Sequence, residues 1–531
     1  MSPQLPDGER APRDGALPDA AIAALGTRPF GVYVHVPFCA SRCGYCDFNT
    51  YVGLSADGFV DAVIAEWRLA ERVLGGAPPP AATVFFGGGT PTLLPPADLA
   101  RLLGAIPRAP DAEVTIEANP ESVDIARLRA LRRAGFTRIS LGMQSAAPHV
   151  LATLERRHTA GGAVAAARLA SEAGFERVSL DLIYGTPGET DGDWAASLAA
   201  AIDAGVEHVS AYALTVEPGT RLHARVRSGA LSAPDDDTQA RRYRVADAAL
   251  SAAGLRWYEI SNWGAPCAHN LGYWRSHDWW GLGPGAHSHV GGVRWWNVLR
   301  PARYARATTA GDSPAAGRER LTAEQRRTER TLLGVRLADG LPLDPHDCAP
   351  AEPLAGEGLL DRAALRRGVA RLTLDGRLMA DRVARDLLST QHRSRACENP
   401  VMDDRFERVG RGAREAASSA REAGSAAHDR GNAARERAAE LDRAQPPHRV
   451  EDATRRRAAA ARSAEFAHER ASAGYERSAA AHERSAAAHR RAAQAAHEHG
   501  DPAGAVGHRR AAAEAEQAAL LDRRLARDAA P

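Results

Sequence analysis

The sequence predicts an α/β fold in which a parallel sheet, open or curled into a partial barrel, precedes a small helical domain and a helical tail. Between about residues 30 and 265, short β-branched or aromatic runs alternate with Ala/Leu/Arg stretches of helical period. Residues 321–389 show helical patterns alone. After about residue 390 the composition shifts to Ala, Arg, Glu and His, which supplies little apolar material for a core.

The alternating region contains seven candidate strands and six candidate helices, separated by Gly, Pro or Asn. This alternation implies a parallel sheet, in which ligands gather at the C-terminal ends of the strands. The predicted strands are Val32–Val36, Thr83–Phe86, Glu113–Glu117, Arg138–Leu141, Arg177–Leu182, His208–Tyr212 and Trp257–Ile260. The predicted helices are Asp57–Val73, Ala97–Ala105, Ser122–Ala134, Ala160–Ala173, Asp191–Ala204 and Thr238–Ala253.

Composition divides the chain into five predicted segments. Residues 1–29 resemble a disordered leader, because prolines and charged residues interrupt every apolar run, and residues 30–265 form the alternating barrel region. Residues 266–320 are rich in Trp, Gly and His and do not look like an ordinary linker. Residues 321–389 are predicted to form a small helical domain, and residues 390–531 a low-complexity tail.

The tail carries a seven-residue repeat. His468, Tyr475, His482 and His489 follow one another at this interval. A seven-residue repeat keeps one helix face aligned, so a long helix or weak coiled coil is expected. A histidine metal site is the sharper alternative, but the spacing would spread its ligands along the helix. A solvated helix is therefore the favoured interpretation.

Composition also excludes several classes of protein. The formal net charge is only +2, which indicates no nucleic-acid partner. The chain contains no lysine, so neither a P-loop nor a pyridoxal phosphate Schiff base is available. The first residues lack the basic start and apolar run of a signal peptide, and no segment approaches about 18 uninterrupted apolar residues. A cytoplasmic location is expected.

Half of the cysteines crowd into one loop directly after a predicted strand. Cys39, Cys43 and Cys46 form a C-x3-C-x2-C pattern. Three thiolates can hold three irons of a cubane 4Fe–4S cluster and leave the fourth iron open to a small ligand. A zinc site would need a fourth ligand, which His35 or Asp47 could provide, but zinc ligands usually come in spaced pairs. The spacing favours an iron–sulfur cluster over zinc and over structural cysteines.

The cysteine loop and its flanks resemble a known superfamily. C-x3-C-x2-C after a strand is similar to radical SAM proteins, in which S-adenosylmethionine chelates the open iron and is cleaved to a 5′-deoxyadenosyl radical. The pattern HVPFCxxxCxYCDF resembles the anaerobic coproporphyrinogen III oxidase family, in particular its HemW branch of haem chaperones. The resemblance covers about residues 30–389. It implies a partial (β/α)6 radical SAM barrel with a 4Fe–4S cluster, S-adenosylmethionine and haem as cofactors.

Supporting motifs lie at the ends of successive predicted strands. The run F-G-G-G-T-P lets backbone approach a ligand closely, and polar side chains end or follow the next three strands. Each of these polar residues alone could be a helix cap or a loop residue. Several of them near the same rim of the barrel favour a polar ligand. By resemblance, a first S-adenosylmethionine contacts Tyr33, Gly88 and Glu117. By the same resemblance, a second contacts Tyr45, Gly89, Thr90, Gln144, Arg156 and Asp181.

Two features separate the chaperone branch from the oxidase branch. The oxidase typically has a fourth cysteine two residues after the third, where this chain has Phe48. It also has a longer segment before its cluster, whereas only 38 residues precede Cys39 here. Both departures favour a haem chaperone, and an oxygen-independent coproporphyrinogen III oxidase remains the alternative.

The second pointer to haem is the segment that begins at Cys267. His269, Tyr273 and Trp274 match the HNxxYW motif of HemW-like proteins. Neutral imidazole is a common axial ligand of haem iron, and aromatic rings can cover the macrocycle. His269 is therefore a haem-contact candidate, with Tyr273 and Trp274 shaping the pocket and Cys267 a less favoured ligand. A hydrogen-bonded loop histidine among core aromatics is the structural alternative.

The resemblance also implies partners. A haem chaperone would deliver haem to target apoproteins, receive electrons from a donor such as flavodoxin, and associate weakly with membranes through its partners. A third possibility is that the tail beyond residue 390 makes the protein an interaction scaffold.

Overall fold

The computed structural model describes residues 5–6, 8–344 and 351–396, together with single helical positions between 476 and 527. The chain divides into two units, Met1–Arg395 and Ala396–Pro531. The first unit contains the large sheet, the cysteine loop with its supporting motifs, and the segment that begins at Cys267.

Strands occur from residue 30 to residue 370 of the described chain. Most of them belong to one sheet with the order β14-β13-β12-β11-β1-β4-β5-β6-β7-β8-β10-β9. The strands are β1 (Phe30–Val36), β2 (Phe38–Cys39), β3 (Tyr51–Val52), β4 (Ala81–Gly88), β5 (Arg108–Ala118), β6 (Arg138–Gln144), β7 (Arg177–Tyr184), β8 (His208–Ala213), β9 (Trp257–Glu259), β10 (Asn262–Gly264), β11 (Asp278–Leu282), β12 (His287–Val290), β13 (Val293–Asn297), β14 (Ala315–Arg320), β15 (Leu341–Pro342) and β16 (Val369–Ala370).

Helices connect the strands and form the C-terminal part of the first unit. Several begin with a local signal, such as the capping box in which Thr190 and Asp193 bond each other's backbone N–H groups. The helices are α1 (Asp19–Ala23), α2 (Phe59–Val73), α3 (Pro96–Gly104), α4 (Ile125–Ala134), α5 (Pro148–Thr153), α6 (Gly162–Glu172), α7 (Asp191–Asp203), α8 (Arg221–Arg227), α9 (Asp236–Ala252), α10 (Ala268–Trp274), α11 (Pro301–Thr309), α12 (Ala323–Gly334), α13 (Glu352–Gly356), α14 (Arg362–Leu365), α15 (Leu374–Leu378) and α16 (Ala380–Ala396).

The predicted α/β fold is confirmed. Strands β1, β4, β5, β6, β7 and β8 are all parallel to their neighbours in that order. Alternate residues of β1 face opposite sides, so Val32, Val34 and Val36 are completely buried in the apolar core while Tyr33 faces an interior cavity. Side chains from all six strands line that one cavity, so the sheet curves into a partial barrel.

Residues 266–320 extend the sheet rather than linking two domains. Strand β11 pairs in parallel with β1, and β12, β13 and β14 continue from it as an antiparallel meander. Trp280 and Trp295 pack edge to face, with ring centroids 4.7 Å apart, and both are buried. The seventh predicted strand, Trp257–Ile260, is present as β9 but lies at the antiparallel edge beside β10.

The expectation of a disordered leader is wrong for the described residues before β1. Glu9 exchanges backbone hydrogen bonds with Arg318 of β14 and forms ion pairs with Arg318 and Arg320. Ala21 of α1 is 2% exposed and belongs to the main apolar core. Composition does not reveal this order, because the order depends on pairing with the edge strand β14.

The helices after β14 have an apolar core of their own, which includes Val335, Leu360 and Val383. Arg377 of α15 makes two 2.7 Å hydrogen bonds to Asp247 of α9. These helices therefore pack as a separate layer that is tied to the barrel by a buried ion pair.

The second unit shows a heptad pattern at its described positions. Ala479, Ala486 and Ala493 are buried at intervals of seven, and so are Ala512, Ala519 and Ala526. Arg490 pairs with Glu516 and Arg523 with Glu483, so two helical stretches run antiparallel. The repeat residues His468, Tyr475, His482 and His489 lie outside the described residues.

Among the described residues, none of the helices combines the length and the apolar character needed to cross a membrane.

Candidate functional site

The three predicted cluster ligands follow β1: Cys39 ends the short strand β2, and Cys43 and Cys46 lie on the loop after it. Cys39, Cys43 and Cys46 are half-buried and none of them forms a disulfide. Burial raises the pKa of the Cys39 thiol and brings that of Cys46 to about 11. Iron binds the thiolate, so cluster assembly would have to remove these protons.

The loop is held on one side by the α5 and α8 region. The backbone N–H of Gly44 donates to the carbonyl of Leu154 at 3.1 Å, and the N–H of Leu222 donates to the carbonyl of Gly44 at 2.8 Å. A side chain at Gly44 would meet the carboxylate of Glu155 at 2.9 Å. Because that carboxylate is the end of a flexible side chain, this contact alone does not require glycine; the two backbone hydrogen bonds fix the middle of the loop.

The other side of the loop is held by Asn49. Its Nδ2 donates to the carbonyls of Pro284 and Leu299 at 3.0 and 2.9 Å, and its own carbonyl accepts from Nε2 of His35 at 3.0 Å. The second ring nitrogen of His35 bonds the Tyr33 hydroxyl at 3.0 Å. Both nitrogens of His35 are therefore occupied, which removes it as a fourth zinc ligand.

No three His, Cys, Asp or Glu side chains converge on a single ion position in the part of the chain that the structure describes. A cubane cluster makes a different demand, because each thiolate binds a separate iron. The donor set, three free thiols on a loop pinned at both ends, fits such a cluster.

The glycine run after β4 packs directly against the cysteine loop. The N–H of Gly89 donates to the carbonyl of Val36 at 2.8 Å, and that of Thr90 donates to the carbonyl of Phe38 at 2.7 Å. Gly88 has φ +105°, and a Cβ there would lie 2.5 Å from the His35 ring. These glycines are fixed by backbone packing, a reason separate from any ligand.

Two polar side chains touch the cysteine sulfurs. Arg156 Nη1 donates to the Sγ of Cys43 at 3.5 Å, and Thr90 Oγ1 approaches the Sγ of Cys39 at 3.9 Å. Asn119 connects them, since its Oδ1 accepts from Arg156 at 2.7 Å and its Nδ2 donates to Thr90 at 2.9 Å. Asn119 was not among the predicted site residues, and its place directly after β5 was the available signal.

Three of the residues matched to S-adenosylmethionine contacts line the cavity inside the barrel, namely Tyr33, Glu117 and Asp181. Glu117 Oε2 accepts from the N–H of Gly88 at 3.1 Å, and burial together with the nearby Asp181 raises the Glu117 pKa to about 7. The Ser140 hydroxyl shares its one proton between the two oxygens of Asp181, at 3.0 and 2.9 Å, and the Ser210 hydroxyl donates to Oδ1 at 2.7 Å. This part of the site is acidic and buried.

The other matched residues lie nearer the cysteine loop. Gln144 has φ +57°, is 7% exposed, and its Oε1 has no partner among the described residues. Arg156 Nη2 donates to the carbonyl of Gly142 at 2.9 Å, beside Gln144, but its Nε has no such partner. Tyr45 packs at the margin of an apolar cluster that includes Leu154. The structure thus brings the nine residues into two adjoining groups at the C-terminal side of the barrel.

The predicted haem segment closes the opposite end of the barrel. His269 of α10 is 4% exposed; its Nδ1 bonds Thr83 Oγ1 at 2.8 Å and its Nε2 bonds the Tyr273 hydroxyl at 2.9 Å. Burial lowers its pKa to about 3, so the imidazole is neutral. Cys267 Sγ donates to Glu113 at 3.3 Å, and burial raises its pKa to about 12.

A second cavity, of about 320 Å³, lies outside this closed end and is lined in part by His269, Tyr273, His277 and Trp279. Trp279 stands edge to face with Tyr273, with ring centroids 4.7 Å apart. Trp274, the predicted aromatic wall, does not line this cavity. His277 and Trp279 were not among the predicted site residues, because they follow the motif rather than belong to it.

Comparison with known proteins adds three findings. The pattern of the radical SAM superfamily matches residues 33–201. The chain is 53% identical over 382 residues to "Heme chaperone HemW" of Mycobacterium tuberculosis, covering 69% of this chain and 97% of that protein. It is 32% identical over 319 residues to the Bacillus subtilis protein of the same name, covering 58% of this chain and 84% of that one.

Among solved structures, coproporphyrinogen III oxidase (HemN) from Escherichia coli, described as a radical SAM enzyme, has a similar fold. The TM-score is 0.60 at 23% sequence identity, covering 69% of this chain and 92% of that chain. This likeness concerns the arrangement of strands and helices.

Proposed function

This chain belongs to the HemW family within the radical SAM superfamily, and on that premise we propose that it is a haem chaperone that holds a 4Fe–4S cluster with S-adenosylmethionine and delivers haem to target apoproteins. The observation that carries the proposal is the 53% identity over nearly the whole of a curated haem chaperone. The three pinned thiols and the HNxxYW segment lie within the matched region.

In this proposal, Cys39, Cys43 and Cys46 would hold three irons of the cluster and leave the fourth open to S-adenosylmethionine. When bound, the cluster supplies an electron to the sulfonium. Glu117 would accept the ammonium group of the cofactor's methionine, since it is the buried carboxylate beside the glycine run. Arg156 would bond a cluster thiolate, because its Nη1 already reaches Cys43. Every other matched residue keeps the contact that the family resemblance implies.

Haem would meet the protein at the closed end of the barrel. His269 could ligate iron only after losing a hydrogen bond, since Thr83 and Tyr273 occupy both ring nitrogens. His277 lines the outer cavity, is half-buried, and has a pKa lowered by burial, so it too is a neutral imidazole. Either histidine could reach haem in that cavity, and the family motif favours His269.

The deciding experiment is anaerobic reconstitution of the cluster, followed by haem titration monitored by Soret absorbance and haem transfer to an apo-acceptor. We expect saturable binding and transfer. Failure to bind haem with full iron content would contradict the chaperone function. Formation of protoporphyrinogen from coproporphyrinogen III under the same conditions would assign the oxidase activity instead.

Matched variants identify the iron ligand. Tyr273→Phe removes the hydroxyl that occupies Nε2 of His269, so it should tighten haem binding if His269 is the ligand. His277→Ala should leave the Soret band unchanged in that case. The reverse pattern, with a Soret change in His277→Ala alone, would assign His277.

A further inference from the structure

The turn that ends helix α5 contains a residue in a backbone conformation that side chains rarely adopt. Glu155 has φ +57°, in the left-handed region, where a Cβ is crowded. Its N–H donates to the carbonyl of Ala152 at 3.1 Å, and the N–H of Arg156 donates to the carbonyl of Leu151 at 2.9 Å. These two bonds form a Schellman motif, in which glycine is the usual left-handed residue. The glutamate side chain at this position therefore needs a reason of its own.

The Glu155 side chain reaches both the cysteine loop and helix α8. Its carboxylate pairs with Arg221 of α8 at 2.5 Å and lies 4.0 Å from Nη1 of Arg225. It also lies over Gly44, where an added Cβ would be 2.9 Å from Oε1. The Arg221 guanidinium in turn donates to the backbone carbonyl of Arg42, between the first two of the three cysteines. One carboxylate thus connects α5, α8 and the cysteine loop.

This connection acts locally and adds little to the stability of the whole fold. The side chains of Arg221 and Glu155 are 57% and 31% exposed, and ion pairs with such exposure contribute little to the free energy of unfolding. The left-handed backbone of Glu155 costs stability. Strained residues of this kind are found where they fix a local geometry. The geometry in question is the position of the Arg42 carbonyl, directly before Cys43.

We propose that Glu155 is a positioning residue for the cysteine loop. Its carboxylate orients Arg221, and Arg221 holds the Arg42 carbonyl, so that the loop keeps the shape in which it retains the cluster. The role in cluster retention rests on the proposed function, whereas the hold on the loop does not. Arg156 is a separate case, because it contacts the Sγ of Cys43 directly.

Glu155→Gly separates positioning from fold stability, because the two should not change together. Glycine adopts the left-handed φ without strain, so the Tm of the cluster-free protein should stay the same or rise by about 1–2 °C. The loop should nevertheless open more often, since Arg221 loses the carboxylate that orients it. Hydrogen–deuterium exchange of the peptide that spans residues 40–48 measures this opening. We expect exchange to be about threefold faster than in the cluster-free wild type.

Two further substitutions show whether the effect is specific. Ser276 follows helix α10 and also has a positive φ, +52°, so Ser276→Gly removes the same kind of strain and should leave exchange of the loop unchanged. Arg221→Gln removes the group that holds the Arg42 carbonyl and should loosen the loop at least as much as Glu155→Gly. The double variant of Glu155→Gly and Arg221→Gln should loosen it no further than Arg221→Gln alone, because Glu155 acts through Arg221.

Cluster retention is measured separately, as the rate at which the reconstituted protein loses visible absorbance in air. Glu155→Gly should start with the iron content of wild type and lose its cluster about threefold faster, in line with the more frequent opening of the loop. An unchanged rate would overturn the role in cluster retention. A wild type that takes up no iron would contradict the proposed function and this role with it, while the exchange data would still decide the hold on the loop.

Three outcomes would overturn the positioning role itself. One is unchanged exchange of residues 40–48 in Glu155→Gly, and another is additive loosening in the double variant. The third is a fall in Tm of Glu155→Gly with faster exchange throughout the barrel, which would show that Glu155 serves only the stability of the fold.

Discussion

The cysteine loop and helix α10, which lie at opposite ends of the barrel, treat their polar groups in opposite ways. At the C-terminal end, three thiols are half-buried, and Gln144 Oε1 and Arg156 Nε lack partners among the described residues. At the other end, both ring nitrogens of His269 are bonded within the protein, and the side chain of Asn270 bonds Glu259 at 3.1 Å. One end is prepared for ligands and the other is closed by its own side chains.

This difference indicates which end of the barrel is suited to binding ligands. Groups that bind a ligand must be left unsatisfied, which costs stability, while a closing element gains stability by satisfying every group. Parallel β/α barrels place their sites at the C-terminal ends of the strands. Helix α10 therefore acts first as a plug, and any contact with haem is made from its outer side or after it opens.

The largest expected effect is at the C-terminal end of the barrel, which carries the cysteine loop and is called the open end below. Cys43→Ala would leave two thiolates and an under-ligated iron, so we expect loss of the cluster, measured as iron content and visible absorbance after anaerobic reconstitution. Cys267→Ser is the matched control, since that cysteine lies at the closed end and should leave iron content unchanged. Full iron content in Cys43→Ala would refute the ligand assignment.

The next effect is at the closed end. His269→Ala removes a buried ring and its hydrogen bonds to Thr83 and Tyr273, so we expect a loss of about 2–4 kcal/mol in unfolding free energy with iron content unchanged. Chemical denaturation measures this loss. His149→Ala, at an exposed histidine paired with Asp193, should change stability by less than about 0.5 kcal/mol. An unchanged stability in His269→Ala would show that α10 is not a plug.

The parts of the molecule also differ in how well they could be predicted from the sequence. Strands β1, β4, β5, β6, β7 and β8 of the barrel were predictable because apolar runs alternate with helical patterns. Cys39, Cys43 and Cys46 could be singled out because their spacing is local. Strands β11 to β14 were not predicted, since their Trp, Gly and His residues lack simple alternation. The order of the leader was missed because it depends on pairing with β14.

Site residues were found or missed for a similar reason. A motif singles out His269 as a candidate, but only the fold shows that Thr83 and Tyr273 occupy both of its ring nitrogens. Asn119 escaped notice because its significance lies in a contact that bridges Arg156 and Thr90. Distances between residues far apart in the chain cannot be read from spacing.

A third prediction concerns pH at the open end. Burial and Asp181 raise the Glu117 pKa to about 7, and only the ionised carboxylate attracts an ammonium group. Affinity for S-adenosylmethionine should therefore fall about tenfold between pH 8 and pH 6, since ionisation drops tenfold for each unit below the pKa. Equilibrium dialysis measures it. Glu117→Gln should bind weakly without this dependence; a pH-independent wild type would exclude Glu117 as the partner of the ammonium.

The smallest expected effect is on the cluster's reduction potential. Arg156 donates to Cys43 Sγ at 3.5 Å, and a donor to a cluster thiolate stabilises the more negative, reduced state. Arg156→Gln should lower the midpoint potential by about 30 mV, equivalent to roughly 0.7 kcal/mol for one electron, as expected for one modest hydrogen bond. Redox titration monitored by electron paramagnetic resonance measures the shift. Arg157→Gln, at the exposed neighbouring position, should leave the potential unchanged. Equal shifts in the two variants would mean that Arg156 acts only through its charge, and the open end would then lack a specific thiolate donor.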